Sequence, residues 1–563
     1  MGAVAERFGV EPCVETKEVC AYATPGYWLS AGGGEGLVIG TIFERNGPPR
    51  NLCEMDSRLR EQFARSAGRS FISTHWGAYC SVLCRRKKLF IMRDPSGGLP
   101  VYYVTNGGGY LIGSDPEILA STGAWSATVL WDEIARHLYW RGLPSPVTSL
   151  GGLRELLPGT MLTVQEGEAR LDTIWSPWDH VQSERWQAGQ DPAEHLRRTA
   201  QNVVAGWSAR YPKVIIGVSG GLDSSIVAAS VPTSGRQVTG VTLITKDPDG
   251  DERRYTRILG DALGIDIAEE HYDLADIDLS KSCVAHLPRP IGRSHALAYD
   301  RVMQRLARAR AIDAFLSGNG GDNVFYYTQS ANPIADRLLA EGPGSGALRS
   351  FRDVCGLTGC TARAAAIATL RIIINGRTGY RWEPDPSFLD AGLIADLRSR
   401  PVTHPWLEGG RAQLPGKAAH VAALLRIHSG LEGYDRRLPP MINPLMSQPM
   451  LELCLSIPSW LWVKGARDRA VARAAFLGRL PTEILGRRSK GGPDGFANQL
   501  IAAHRKEILN RLTDGHLARH AIIDVGRVQA VLSEERPGLG TDQARLLSLL
   551  DTEAWIDHWS PRA

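Results

Sequence analysis

The run Ser219-Gly220-Gly221-Leu222-Asp223-Ser224-Ser225 constrains this chain more than any other segment. It follows Lys213-Val214-Ile215-Ile216-Gly217-Val218, a short apolar run of the kind that forms a strand buried on both faces. It opens a helix expected over 224–230. Adjacent glycines let the backbone turn sharply and bring bare N–H groups within reach of an oxyanion. The helix N-terminus behind them adds partial positive charge, and Ser219, Ser224 and Ser225 supply hydroxyl donors. The loop is built for a phosphate or pyrophosphate. It is not a Walker A loop, because the GxxxxGK(S/T) pattern and its lysine are missing. A plain helix-entry turn would explain Gly-Gly-Leu-Asp but not the whole heptad between strand and helix.

The flanking pattern alternates strand and helix. Strands are expected at 238–244 and 314–317, and helices at 251–263 and 299–311, which implies a parallel sheet with helices on both faces. The second strand of that pair leads into Ser317-Gly318-Asn319-Gly320-Gly321-Asp322-Asn323. Its glycines permit close approach of backbone to a nucleotide, and Asp322 places a second carboxylate in the crevice of Asp223. Two carboxylates from two strand ends suit a Mg²⁺ that bridges triphosphate oxygens, since the ion takes few protein ligands and keeps its waters. The bland reading of this loop is an Asn-Gly-Gly surface turn. Asp251 and Glu252, at a helix start, serve as capping charge or as an additional metal site.

Elsewhere the organisation is coarser. Residues 1–175 read as short strands (71–74, 89–92, 101–104) broken by turns such as Asp94-Pro95-Ser96-Gly97-Gly98, with a tight turn feeding one more strand over 156–164. A polar stretch over 176–192 is the linker candidate. From 361 onward, helical segments dominate at 364–374, 418–427, 468–476 and 543–555. The 563 residues can bury full-sized cores. A net charge of only +4 excludes a dedicated nucleic-acid binder, which needs a basic stripe. The basic run Arg85-Arg86-Lys87-Lys88 reads as a solvated turn. The 9 cysteines are scattered and odd in number, and neither Cys80/Cys84 nor Cys355/Cys360 has partners at zinc-site spacing, so free thiols are expected. No secretory signal and no stretch long enough for a membrane span are found, which reads as a cytoplasmic protein.

The first loop resembles the PP-loop of ATP pyrophosphatases, which cleave ATP between the α and β phosphates. With the β-rich front half, the two loops look like the asparagine synthetase superfamily. Arg93-Asp94-Pro95-Ser96-Gly97 followed by Tyr102-Tyr103 is similar to the family's RDPxG…LYY element, and Leu157-Pro158-Gly159 to its LPG turn. Arg488-Ser489-Lys490 with Asp494-Gly495 resembles the stretch carrying the family's catalytic lysine. The resemblance implies an α+β glutaminase-like sandwich of the Ntn-hydrolase type over 1–180. An α/β PP-loop ATP pyrophosphatase domain with a helical C-terminal region would follow over 190–563.

Two departures narrow the reading. Glutamine-hydrolysing members carry Cys at position 2, where Gly2 stands here, so the front domain is expected to be a degenerate amidotransferase. Asparagine synthetases have an acidic residue, and β-lactam synthetases a tyrosine, where this chain has Asn319, which cannot act as a general base. Gly321-Asp322-Asn323-Val324-Phe325, Ser447-Gln448-Pro449, Trp460 through Arg469 and Arg487 through Gly495 together look like lasso peptide cyclases.

That resemblance implies an ATP-dependent macrolactam synthetase that joins a core peptide's N-terminal amine to an Asp or Glu side chain through an acyl-adenylate, releasing AMP and pyrophosphate. By family pattern, Val218, Leu243 and Gly318 would lie along the adenosine. Ser219, Gly220, Gly221, Asp223, Ser224 and Ser225 would hold pyrophosphate, and Asp223 and Asp322 the Mg²⁺. Lys490 would stabilise charge on the α-phosphate and the tetrahedral oxyanion. His295 and Tyr299 are candidates to take the amine proton, although a histidine so placed is more often structural. The implied partners are a linear lasso precursor, a leader-binding protein and a leader peptidase. The competing readings are an ammonia-dependent asparagine synthetase or β-lactam synthetase-like ligase, and a non-catalytic scaffold.

Overall fold

The computed structural model describes the chain apart from residues 1, 17, 32–35, 183–185, 187, 188, 233–237, 245–249, 272, 377–379, 401, 410–412, 429, 432–437, 489–493, 534–539, 541 and 561–563. In the front half, six antiparallel strands run in the spatial order Glu168–Thr173, Thr160–Gln165, Lys88–Arg93, His75–Arg85, Gly36–Glu44, Trp28–Ser30. Successive residues leave this sheet on opposite faces, as the pleat requires. Leu37, Val82, Ile91 and Leu162 meet Tyr103 from a three-stranded sheet (Gly109–Gly113, Tyr102–Asn106, Arg154–Glu155). Their neighbours Val38, Leu83, Met92 and Met161 meet Phe63 of helix Ser57–Ser66 and Phe71. The basic run does form a hairpin turn, with Arg86 and Lys87 in the left-handed region and exposed.

Two expectations for this half fail. Residues Phe71–Thr74 form a helical turn rather than a strand, because Ser73 Oγ and Thr74 Oγ1 both donate to the Ser70 carbonyl at 3.0 and 2.8 Å. The 176–192 stretch is no loose linker at its described positions. Trp178 Nε1 donates to the Trp406 carbonyl at 2.8 Å, and Trp186 Nε1 to that of Ser456 at 3.0 Å. Indole N–H groups pin it to the back half. All nine cysteines are free, and helix Gly2–Phe8 buries none of its residues.

The back half holds a five-stranded parallel sheet ordered Asp266–His271, Val238–Ile244, Val214–Gly217, Ala314–Leu316, Met441–Ile442. The apolar run predicted as a doubly buried strand behaves as one. Val214 and Ile216 face the core that contains Trp207 and Leu259, whereas Ile215 faces Val302, Met303 and Leu306 of helix Ala296–Arg310. The chain leaves Val214–Gly217 toward a neighbour on one side and later returns to its other side as Ala314–Leu316. The crevice at the carboxyl ends of these two strands is therefore a topological switch point, where open parallel sheets bind ligands.

Both halves share one core. Phe43 and Trp76 stack at 4.4 Å, and Trp207 of helix Pro192–Arg210 packs edge-on to Phe43 at 5.0 Å. The family-like Arg93 is spent here. Buried Arg93 bonds Glu155 at 2.7 Å, the Leu156 carbonyl at 2.9 Å and the Gly97 carbonyl at 2.8 Å. Arg289 of the back half holds the other Glu155 oxygen. Burial alone would raise the Glu155 carboxyl, but the two guanidiniums outweigh it and hold it below the ordinary value. Beside this triad a cavity of about 30 Å³ is lined by His137, His404 and His428. Burial pushes these imidazoles down to about 3, 4 and 3, with nearby arginines adding to the shift for His137 and His428.

This junction predicts an acid-labile fold. Each histidine's folded value lies below the ordinary imidazole value of 6.5, so the unfolded chain takes up protons first and stability falls as pH drops from 6.5 toward about 4. Each imidazole contributes a slope of up to about 1.4 kcal/mol per pH unit. Asp94, Asp336 and Asp551, raised by burial to about 6, act in the opposite sense. The readout is therefore a difference between proteins. A His404→Asn/His428→Asn variant, which keeps an acceptor for the Trp406 N–H at the helix start, should lose less stability than the parent between pH 7 and 5 in urea melts. Equal losses would contradict the assignment.

Candidate active site

At the switch point lies a cavity of about 760 Å³. Its walls carry Val218, Ser219, Gly221, Asp223, Ser224, Leu243, Gly318, Asn319 and Asp322, together with His295 and Tyr299. Residues from four chain segments, singled out on sequence alone, thus share one space. Gly220 and Ser225 do not line it. Gly220 sits in the left-handed region (φ +61°) against Tyr255, where a Cβ would come within 2.3 Å of the tyrosine's own. Ser225 is fully buried, one position further round helix Leu222–Ser230. Lys490 lies outside the described residues.

The first loop holds its own groups weakly. The Ser219 N–H reaches Ser224 Oγ at 3.3 Å, the Gly221 N–H reaches Ser219 Oγ at 3.4 Å, and the two hydroxyls stand 3.4 Å apart. These contacts are long for hydrogen bonds, so the donors retain capacity for an incoming oxyanion. Arg487 braces the loop from behind. Its Nη1 donates to the Ser219 carbonyl at 2.8 Å and its Nη2 to Glu252 at 2.7 Å, with the guanidinium 4.1 Å above the Tyr255 ring. Glu252 is therefore engaged by Arg487. Asp251 accepts from the Arg253 N–H at 3.0 Å and pairs with its side chain at the start of helix Arg253–Leu263. Arg253's hydrogen bonds pull the Asp251 carboxyl down to about 2.

The second loop closes onto the first because glycine allows it. A Cβ on Gly318 would sit 2.4 Å from the Ser224 nitrogen, and one on Gly321 2.4 Å from Asp223 Cγ. Asp223 and Asp322 consequently converge on one cation. Arg469 Nη1 contacts both Asp223 oxygens at 3.1 and 3.0 Å and also bonds Asp322. Burial would lower the Arg469 guanidinium, but Asp223, Asp322 and Asp468 outweigh it and hold it above the ordinary arginine value. Asp468 aims this side chain, accepting from Arg469 Nε at 3.0 Å and Arg473 Nη2 at 2.9 Å.

The expected 468–476 helix begins only at Ala470. Arg469 precedes it in the left-handed region (φ +48°), a conformation costing on the order of 1–2 kcal/mol. Sequence reasoning gave Arg469 no role. Its only signal was its place in the Arg467-Asp468-Arg469 string, because the strained backbone and the paired carboxylates appear only in the fold.

The carboxylate pair fits a divalent ion, since both already meet at one positive group. Among the described residues no set of three or more His, Cys, Asp or Glu side chains could hold a metal alone. An ion here would complete its shell from phosphate oxygens and water, as Mg²⁺ commonly does. Helix Ala296–Arg310 starts earlier than expected, so His295 stands at its N-terminal boundary, with Tyr299 one turn in. The Asn319 N–H donates to Ser317 Oγ at 3.1 Å, and Ser317 Oγ to Asn443 Oδ1 at 2.7 Å, which fixes that corner of the loop.

A parallel sheet with a glycine-rich loop and a facing carboxylate pair at its switch point defines an α/β domain with a ligand-sized cavity between two strand ends. The asparagine synthase family matches residues 210–403 and 440–557, more than half of the chain, and this chain belongs to that family. The glutamine amidotransferase domain family matches residues 61–175. Membership supports an ATP-dependent amide-forming ligase. No curated protein matches the chain.

Two solved structures of low similarity are the allosteric regulatory enzyme of purine biosynthesis and glutamine phosphoribosylpyrophosphate amidotransferase from B. subtilis complexed with ADP and GMP. The first is 14% identical with a TM-score of 0.15, and the alignment covers 37% of this chain and 50% of that one. The second is 11% identical with a TM-score of 0.18, covering 46% and 66%. This chain thus spans half the length of the first and 66% of the second.

Gly318→Ala tests the closure of the two loops. The added methyl meets Ser224 backbone, which cannot swing aside, and such overpacking costs about 1–3 kcal/mol. ATP affinity measured by calorimetry should fall about tenfold or more. Unchanged affinity would show that the loops need not meet.

Proposed function

We propose that this chain is an ATP-dependent lasso peptide cyclase that forms an isopeptide (macrolactam) bond. The observation that carries the reading is the meeting of the glycine loop, the Asp223–Asp322 pair and Asn319 in one cavity of about 760 Å³. At the acidic or tyrosine position of the small-molecule ligases, Asn319 offers an amide that binds but takes no proton. A substrate that brings its own amine and carboxylate needs positioning above all, and joining two held groups gains the advantage of an intramolecular reaction.

In the proposed sequence the peptide's Asp or Glu carboxylate oxygen attacks the α-phosphorus of ATP. The bond to the β-phosphate oxygen breaks, leaving an acyl-adenylate and pyrophosphate. The Ser219 and Ser224 hydroxyls and the loop N–H groups hold the departing pyrophosphate. Val218 and Leu243 flank the adenosine, and Gly318 admits the second loop. Mg²⁺ on Asp223 and Asp322 would supply neutralisation of phosphate charge. The peptide's N-terminal amine then attacks the acyl carbon, AMP leaves with the acyl oxygen, and the amine proton passes to a base. His295 and Tyr299, on the cavity wall, are the proposed acceptors. Lys490 is assigned to the α-phosphate and oxyanion charge on its Arg488-Ser489-Lys490 context.

The front half, about residues 1–180, is proposed as a non-hydrolysing body joined to a ligase domain over 190–563. In support, Arg93 and Asp94 of its family-like element are consumed by structural bonds. Asp94 accepts from the Tyr79 and Gly97 N–H groups at 3.1 and 2.9 Å. The proposed setting is the cytoplasm, with the linear precursor as substrate and a leader-binding protein and leader peptidase acting beforehand.

Leaderless core peptide incubated with the chain and ATP·Mg²⁺ should give a product lighter by one water, with one AMP per ring. AMP formed with aspartate and ammonia, and none with peptide, would overturn the reading. Lys490→Ala should cut product formation about a hundredfold or more while retaining ATP binding. A variant that cyclises normally removes the role given to Lys490.

A further inference from the structure

Helix Ala362–Asn375 carries apolar side chains on two opposite faces. Its packed face is Ala365 and Thr369, both buried, with Ala368 and Ile372 partly buried beside them. Its outward stripe is Ile367, Leu370 and Ile374, exposed by 42%, 59% and 62%. These three recur at helical spacing and form one continuous apolar line opposite the packed side. Scattered exposed leucines need no explanation, but an aligned stripe on the solvent face of a helix does.

The charge around the stripe has one sign. Arg363 and Arg371 are exposed on this helix, which carries no acidic residue. The preceding helix Ser345–Thr358 exposes Arg349 and Arg352. Its one acid, Asp353, already accepts the Gly465 and Ala466 N–H groups at 2.9 and 3.3 Å. The two helices meet at 114°, and among the described residues no single helix is long and apolar enough to cross a membrane. The 14-residue helix extends about 21 Å at 1.5 Å per residue, short of a hydrocarbon core of roughly 30 Å.

We propose that helix Ala362–Asn375 lies on the surface of a bilayer that carries anionic phospholipid headgroups. Ile367, Leu370 and Ile374 enter the boundary between headgroups and acyl chains, and Arg363 and Arg371 pair with phosphates. An apolar stripe flanked by basic side chains is the pattern of helices that lie in this interface. A second copy of the chain fits less well, because a two-fold contact along the stripe sets the same arginines against each other with no acid between them. The assignment is independent of the reaction catalysed in the cavity.

Vesicle sedimentation with the full chain tests this. Binding to phosphatidylcholine vesicles containing phosphatidylglycerol should exceed binding to pure phosphatidylcholine at least tenfold and weaken as salt rises. An Ile367→Gln/Leu370→Gln/Ile374→Gln variant should lose at least tenfold in binding at an unchanged melting temperature. Arg363→Gln/Arg371→Gln should lose the preference for phosphatidylglycerol. Equal binding to both vesicle types, or full binding by the triple variant, would overturn the proposal. So would a parent that ignores vesicles but forms a dimer that the triple variant dissociates, which would assign the stripe to a second copy.

Discussion

Asp223 and Asp322 are drawn onto one guanidinium, and that contact dictates what the surrounding loops can be. Two carboxylates gathered at one point repel each other. The pair persists because Arg469 stands against both of them. Bringing them together requires Gly318 against Ser224 backbone and Gly321 against Asp223 itself. Holding the arginine in place requires Asp468 and a left-handed residue ahead of the Ala470–Ala475 helix. The convergence that favours a cation between two strand ends is thus bound up with the packing of both glycine loops and one strained turn. A nucleotide bringing its own cation would find the carboxylates already gathered.

The sheet explains why the pair can exist. Val214–Gly217 and Ala314–Leu316 are neighbours in register, with Ile216 opposite Leu316, so their following loops emerge side by side. The front half reaches this region through the shared core around Phe43, Trp76 and Trp207 and through the Arg93–Glu155–Arg289 triad. Breaking a buried ion pair by removing one partner commonly costs 3–5 kcal/mol, on the order of a third of a domain's stability. The two halves therefore stabilise each other through this junction.

What the sequence disclosed, and what it hid, follows from the range of the interactions. The strand 238–244 was legible to the residue because its apolar run and its ends are local signals. The two glycine loops were legible because phosphate-type loops need glycine at fixed positions, whatever the rest of the chain does. Phe71-Ile72-Ser73-Thr74 misled because its apolar and β-branched residues signalled a strand, whereas the hydroxyls closed a helical turn on Ser70. The 176–192 stretch looked polar, yet its tryptophans find carbonyls far along the chain. Arg469 was hidden because its partners lie 246 and 147 positions away. The outward stripe of Ala362–Asn375 was hidden because periodicity reports an apolar face and not which way that face points.

The proposed adenylation at the paired loops passes one oxygen of the peptide carboxylate to AMP. Isotope transfer tests it most directly. A core peptide whose ring-forming Asp or Glu carboxylate is labelled with ¹⁸O is turned over with ATP, and the products are analysed by mass spectrometry. Adenylation gives one ¹⁸O in each AMP released and none in pyrophosphate. Label in inorganic phosphate, with ADP as the nucleotide product, would show acyl-phosphate chemistry and contradict it.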